Sequence, residues 1–285
     1  MVNRGSPEED WKDNQSVLPP QKGFFGHPKG LSTLFFTEVW ERFSYYGMRA
    51  ILLFYMYDQI VHGGLGLSQG TAAAIMSVYG ALVFMSGIIG GWLADRLLGT
   101  FHSILLGGVF IMLGHIALAV PAGVVALFIS MVLIIVGTGL LKPNASNAVG
   151  HLYTQDDIRR DAGFSIYYMG INIGAFIAPY IVGTLGQKVN YHLGFGMAAI
   201  GMALGLIIFF LTAKKNLYEI SFRPMNPVKS GEVKTLSLKF VSGAIVIALL
   251  LVVLQQMGIL TIHFFVNCIT IVAIIIPILY FIVML

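Results

Sequence analysis

Apolar runs of roughly 18 residues or more recur along the chain, each long enough to cross about 30 Å of hydrocarbon as a helix. Eight spans are predicted, over residues 33–61, 68–98, 101–120, 124–153, 158–186, 193–213, 238–255 and 260–285. This pattern defines an all-α polytopic membrane protein set in a lipid bilayer. The stretch 214–239, with Pro224 and Pro227, is its clearest break. It divides the chain into a tail over 1–30, a six-helix unit over 31–213, a linker over 214–237 and a two-helix hairpin over 238–285. The tail is polar and lacks the charged, apolar and small-residue regions of a signal peptide.

Composition agrees, with 57% hydrophobic and 11% charged residues and a mean hydropathy of +0.83. Thirteen of the 17 Lys and Arg fall in the tail or in alternate loops, among them Arg96, Arg159, Arg160, Lys214 and Lys215. Basic loops stay in the cytoplasm, so both termini of the chain are expected there. The net charge of +4 follows from this bias and gives no reason to invoke nucleic acid. A single cysteine, Cys268, rules out an internal disulfide and argues against a thiolate metal cluster.

The first span interrupts the apolar pattern with four charges. At about 100° per residue, Glu38, Glu41, Arg42, Tyr45, Tyr46 and Arg49 share an arc of about 140°. Each charge at mid-membrane costs roughly 3 kcal/mol, so the stripe is expected to face protein or water. Glu38, Glu41 and Arg42 are spaced to neutralise one another. Arg49 lies about 16 Å beyond Glu38 along the axis and has no acidic partner on its own helix. Two readings stay open: structural ion pairs between helices, or a proton site with Arg49 as a ligand anchor.

Other polar groups fall at similar depth. Lys142, in "GTGLLKPNAS", precedes Pro143, which favours a kink. Lys142 and Arg49 together supply two cations suited to a carboxylate ligand, and Lys142 is also placed to pair with Glu38 or Glu41 when no ligand is bound. Asn172, in "IYYMGINIGAFIAP", is set to hydrogen-bond either a bound polar molecule or a neighbouring helix. "GGWLADRLLG" ends the second span with Asp95 and Arg96 at the membrane surface. His115 reads as a hydrogen-bonded interior residue rather than a proton carrier. No hydrolase or zinc-protease motif and no phosphate-binding glycine loop occurs in the sequence, which argues against an enzyme and against a bound cofactor or metal.

On these residues the chain resembles the proton-dependent oligopeptide transporter family of the major facilitator superfamily. "EVWERFSYYG" is similar to that family's first-helix signature ExxERFxYYG without a mismatch, and "GLLKPNAS" and "YYMGINIGAF" resemble its fourth- and fifth-helix motifs. "GGWLADRLLG" resembles the superfamily's loop motif, although Thr100 to Ser103 lacks the basic residues that often follow. The match runs over about residues 24–225.

The resemblance implies proton-coupled symport of di- and tripeptides by alternating access, with protons as the coupling ion. It implies that Glu38, Glu41, Arg42 and Lys142 couple protons and that Arg49 and Lys142 hold the peptide carboxylate. Tyr45, Tyr46, Asn172 and Phe84 would line the pocket, and Asp95 and Arg96 would belong to a gating loop. Phe84 stands where bacterial relatives tend to have a tyrosine, which leaves peptide preference open. The second span also lacks the histidine of animal members, pointing to a bacterial plasma-membrane protein. Transporters of this superfamily have two six-helix halves, so the chain is expected to be an N-terminal half plus linker hairpin, with the C-terminal half missing. Two other readings are a transporter of another anion, such as nitrate, and a non-transporting membrane scaffold or regulator.

Overall fold

The computed structural model describes residues 23–228, together with Ser242 and Gln256. The tail before residue 23 and the predicted seventh and eighth spans, Ser242 apart, lie outside the described residues. Contacts divide the chain into one unit of Met1–Gly66 with Val83–Pro227 and a second of Leu67–Leu82 with Val228–Leu285. Every regular element among the described residues is helical.

A 3₁₀ turn, Phe24–Gly26, leads into α1, Lys29–Tyr57. Then come α2, Gln69–Leu93, a π-helical turn, Ala94–Leu98, and α3, Gly99–Ala119. Helix α4 is Gly123–Gly150, and α5, Arg160–Ala178, continues through a π-helical turn, Pro179–Gly183, into α6, Thr184–Lys188. Helix α7 is Tyr191–Asn216, followed by a 3₁₀ turn, Glu219–Phe222. Among the described residues, four continuous helical stretches are long and apolar enough to cross a membrane: Gln69–Ala119, Gly123–Gly150, Arg160–Lys188 and Tyr191–Asn216. Helix α1 has the length, at 29 residues, but its charges set it apart from these four.

The second unit contributes the start of α2, where the Ser68 hydroxyl accepts from the Thr71 amide at 3.1 Å and caps the helix.

In the first unit, helix α1 lies between α5 and α7. Glycines set its contacts. A Cβ on Gly170 or Gly174 of α5 would press on Phe35 or on the Val39 carbonyl and Arg42, and one on Gly186 of α6 would meet Ile51. These positions rise in step, so α1 and α5 run parallel. Gly194, Gly201 and Gly205 of α7 meet Ile51, Phe43 and Trp40 in reverse order, so α7 is antiparallel to α1. Small residues of this kind let backbones approach where lipid supplies no hydrophobic drive. Threonines 33 and 212 add an interhelical hydrogen bond of 2.8 Å, joined by the Asn216 amide at 3.0 Å.

The 51-residue run Gln69–Ala119 is too long for one crossing, and it reverses at Gly99. That residue has φ 74°, in the left-handed region open to glycine. Gly90 and Gly107, on either side of the reversal, both meet α4 between Gly137 and Leu141. Helix α4 runs through Pro143 unbroken. Proline cannot bond the carbonyl four residues back, and that carbonyl, of Gly139, faces Gly90. The Asn144 amide closes the same joint, donating to the Leu140 carbonyl at 2.7 Å and the Gly90 carbonyl at 3.3 Å.

Candidate functional site

The charged stripe of α1 is packed against protein. Glu38 is 1% exposed, Glu41 0% and Arg42 3%. The Arg42 Nε lies 3.0 Å from Glu38 Oε1 and also against Glu41 Oε2, and its guanidinium stands 5.5 Å above the centre of the Tyr45 ring. One guanidinium thus serves two carboxylates. The pair differ in hydrogen bonding: Glu38 Oε2 accepts from the Tyr167 hydroxyl at 2.7 Å, whereas among the described residues neither oxygen of Glu41 meets a donor in hydrogen-bonding geometry.

Tyr167 is the residue that sequence reasoning missed. With Gly170, Gly174 and Ala178 it forms the buried face of α5, at about 0°, 300°, 340° and 20° on the helix. The face is otherwise glycine and alanine, so the one hydroxyl on it is pressed onto α1 beside Glu38. That spacing within "YYMGINIGAFIA" is the signal that was available.

Of the two surroundings expected for the stripe, protein or water, its charged start meets protein. Its Glu38–Arg42 end is dry, because the glycines of α5 and α7 bring both helices onto that end, and only Arg49 reaches an exposed position. Tyr45 is buried and Tyr46 half-buried, their rings edge to face at 5.4 Å between centroids.

Lys142 is exposed on α4, with its ammonium 4.9 Å from the centre of the Phe84 ring. Among the described residues it forms no ion pair with Glu38 or Glu41, because Arg42 already occupies both carboxylates. Phe84 thus meets a cation here, its exposed ring giving the ammonium an electrostatically favourable face.

Asn172 points away from α1. It lines an open groove of about 650 Å³ with Met169, Ile173, Phe176 and Ile177, its amide donating to the Tyr168 carbonyl at 3.0 Å. Asp95 and Arg96 sit in the π-helical turn after α2, where the Asp95 carbonyl accepts from the Asn226 amide at 2.9 Å. His115 is wholly buried, yet neither ring nitrogen has a hydrogen-bond partner among the described residues. The expected hydrogen-bonded histidine is thus corrected to one without a partner among the described residues. No cluster of potential metal ligands occurs among the described residues.

A second polar assembly lies where α1 begins. His27 Nδ1 is 2.9 Å from the Tyr153 hydroxyl, and Arg159 donates to the Gly26 carbonyl at 3.1 Å while pairing with Asp157 at 2.7 Å. Burial and the Arg159 guanidinium hold the His27 pKa below its ordinary 6.5, and the hydrogen bond from Arg159 holds Asp157 below the usual carboxylate range.

Fold and site together define a polytopic helical membrane protein with a buried charge cluster. The POT family model matches residues 101–282, and the chain belongs to that family. It is similar to the "Uncharacterized transporter YclF" of Bacillus subtilis (strain 168), at 61% identity over 95% of this chain and 55% of the relative. It is 51% identical to the "Di-/tripeptide transporter" of Lactococcus lactis subsp. lactis (strain IL1403), again over 95% of this chain and 55% of that protein. Among solved structures, the peptide transporter POT in complex with sulfate matches with a TM-score of 0.89 at 60% identity, covering 96% of this chain and 56% of that one. The chain spans about half the length of the curated relatives it matches.

Proposed function

We propose that this chain is the N-terminal half and linker hairpin of a bacterial symporter that couples di- and tripeptide import to protons by alternating access. In this reading residues 31–213 form the six-helix N-terminal bundle of a major facilitator protein, with about eight spans in the chain and both ends of it in the cytoplasm. A C-terminal six-helix bundle completes the pocket.

The observation that carries the reading is a buried cluster of two carboxylates on one guanidinium, with a second cation, Lys142, close enough to act on both carboxylates without bonding either. Such a cluster carries one net negative charge in a dry place, which a single proton neutralises. Lys142 and Arg49, both exposed, then take the substrate carboxylate, while Tyr45, Tyr46, Phe84 and Asn172 line the pocket and Asp95 and Arg96 serve the gating loop. Protonating the cluster weakens its hold on Lys142 and so favours binding of the carboxylate, which links the two ligands. The relative described as a di-/tripeptide transporter and the sulfate complex of another support an oligopeptide substrate with an anionic end.

The test uses the full-length gene product in proteoliposomes. Glu41→Gln should keep peptide exchange but lose accumulation driven by a proton gradient. Undiminished accumulation by that variant would remove Glu41 from the coupling.

A further inference from the structure

Glu38 and Glu41 share a helix, a guanidinium and near-complete burial, yet their surroundings differ in one bond. Glu38 Oε1 and Glu41 Oε2 both lie against the Arg42 Nε as ion pairs, and Glu38 Oε2 alone adds a hydrogen bond, accepted from the Tyr167 hydroxyl at 2.7 Å. Among the described residues the oxygens of Glu41 have the Arg42 charge beside them and no hydrogen bond. We propose that Tyr167 is a positioning residue whose hydroxyl holds Glu38 as the ionised partner of Arg42, leaving Glu41 as the carboxyl that carries the exchanged proton. This rests on, and deepens, the proton-coupled reading above.

The physical case compares two places for one proton. On Glu38 Oε2, the proton would confront the Tyr167 O–H with a second donor, and a buried tyrosine hydroxyl whose hydrogen-bond partner among the described residues is that oxygen alone would have to turn away. On Glu41 the proton displaces no hydrogen bond, and it relieves a buried, unsolvated charge. The balance is simple: one proton enters, Glu41 becomes neutral, and Glu38 with Arg42 remains a neutral ion pair.

The groups facing the cluster are few. Among the described residues, on α1 they are Arg42, Tyr45 and Tyr46, on α4 Lys142, and on α5 Tyr167. Helix α7 meets it with uncharged positions, Gly205 against the Glu41 backbone and Met202 against Ser44. Of these, Tyr167 alone is bonded to one carboxylate and not the other, so it breaks the symmetry between them.

The deciding experiment is pH-dependent infrared difference spectroscopy of the purified full-length protein, reading the carbonyl stretch of protonated carboxyls. The wild type should show a buried carboxyl band that Glu41→Gln removes and Glu38→Gln leaves. Tyr167→Phe, which deletes only the hydroxyl, should add a second band that the further change Glu38→Gln abolishes. A wild-type band lost with Glu38→Gln, no band assignable to Glu41 at any pH, or an unchanged spectrum in Tyr167→Phe would each overturn the proposal. Should Tyr167→Phe not fold, the two glutamine variants alone still decide the assignment.

Dipeptide uptake in proteoliposomes gives an independent arm. Tyr167→Phe should alter the pH profile of uptake, and combined with Glu41→Gln it should restore part of the lost accumulation. A wild type that takes up no dipeptide would count against the transport function, while the spectra would still assign the proton.

Discussion

At the scale of single residues, the cluster depends on chemistry that the helix wheel could place but not finish. The wheel gathers Glu38, Glu41 and Arg42 on one face, and the structure brings the three into contact. Tyr167 was hidden because its partner lies 129 residues away, a separation that no local pattern reports. His115 was misjudged because sequence shows a polar residue in a helix, not whether a donor or acceptor reaches it. Replacing an unpartnered buried polar group by an apolar one removes a desolvation penalty of about 1–3 kcal/mol. His115→Leu should therefore hold or raise the melting temperature of the solubilised full-length protein. For Arg49, a bond from a guanidinium to a carboxylate contributes roughly 1.5–3 kcal/mol. Arg49→Ala should accordingly weaken dipeptide binding about 10- to 100-fold and leave the C-terminally amidated dipeptide nearly unaffected, both read by calorimetric titration.

At the scale of elements, hydropathy located the helices well where they are apolar and charges marked the one that is not. Predicted span 193–213 is observed as Tyr191–Asn216, and 124–153 as Gly123–Gly150. At Pro143 the sequence shows the lost hydrogen bond, but not that the freed carbonyl faces a glycine of the neighbouring helix. Glycine stripes are visible in sequence, but which helix each one meets is not. The joint of α1 and α5 is testable: a methyl group at Gly174 would overlap the Val39 carbonyl, whereas one at Gly183 finds no atom within 4 Å. Gly174→Ala should lower stability by roughly 1–3 kcal/mol, seen as a lower melting temperature, with Gly183→Ala as the tolerated control. The segment ahead of α1 responds to pH. Because the docked His27 binds its proton less readily than a free histidine at 6.5, the undocked state takes up more protons on acidification. Docking is thus strongest at neutral pH and weakens as pH falls below about 6.5. Amide exchange at Gly26 and His27 should rise over that window, and His27→Gln should flatten the dependence.

At the scale of the whole molecule, the described residues supply one side of the proposed transporter, which explains why Arg49, Lys142, Phe84 and Asn172 are exposed while the carboxylates are not. Membership of the family was legible in "EVWERFSYYG", whose spacing alone puts the charges on one face. In that proposal the partner surface is made by residues outside this chain, so nothing in the sequence could show it. In cells expressing the full-length gene product, a protonophore should abolish accumulation of labelled dipeptide and leave counterflow intact. Glu41 has no solvent-exposed surface, and this separates two quantities that bulk pH usually sets together. On the proposed assignment, the concentration of protons fixes how often Glu41 is occupied at equilibrium, but the frequency with which its surroundings part fixes how quickly that equilibrium is reached. A sudden acid pulse should be registered with a lag that lengthens in a more viscous or more ordered bilayer, so the site behaves as a clocked valve rather than a buffer.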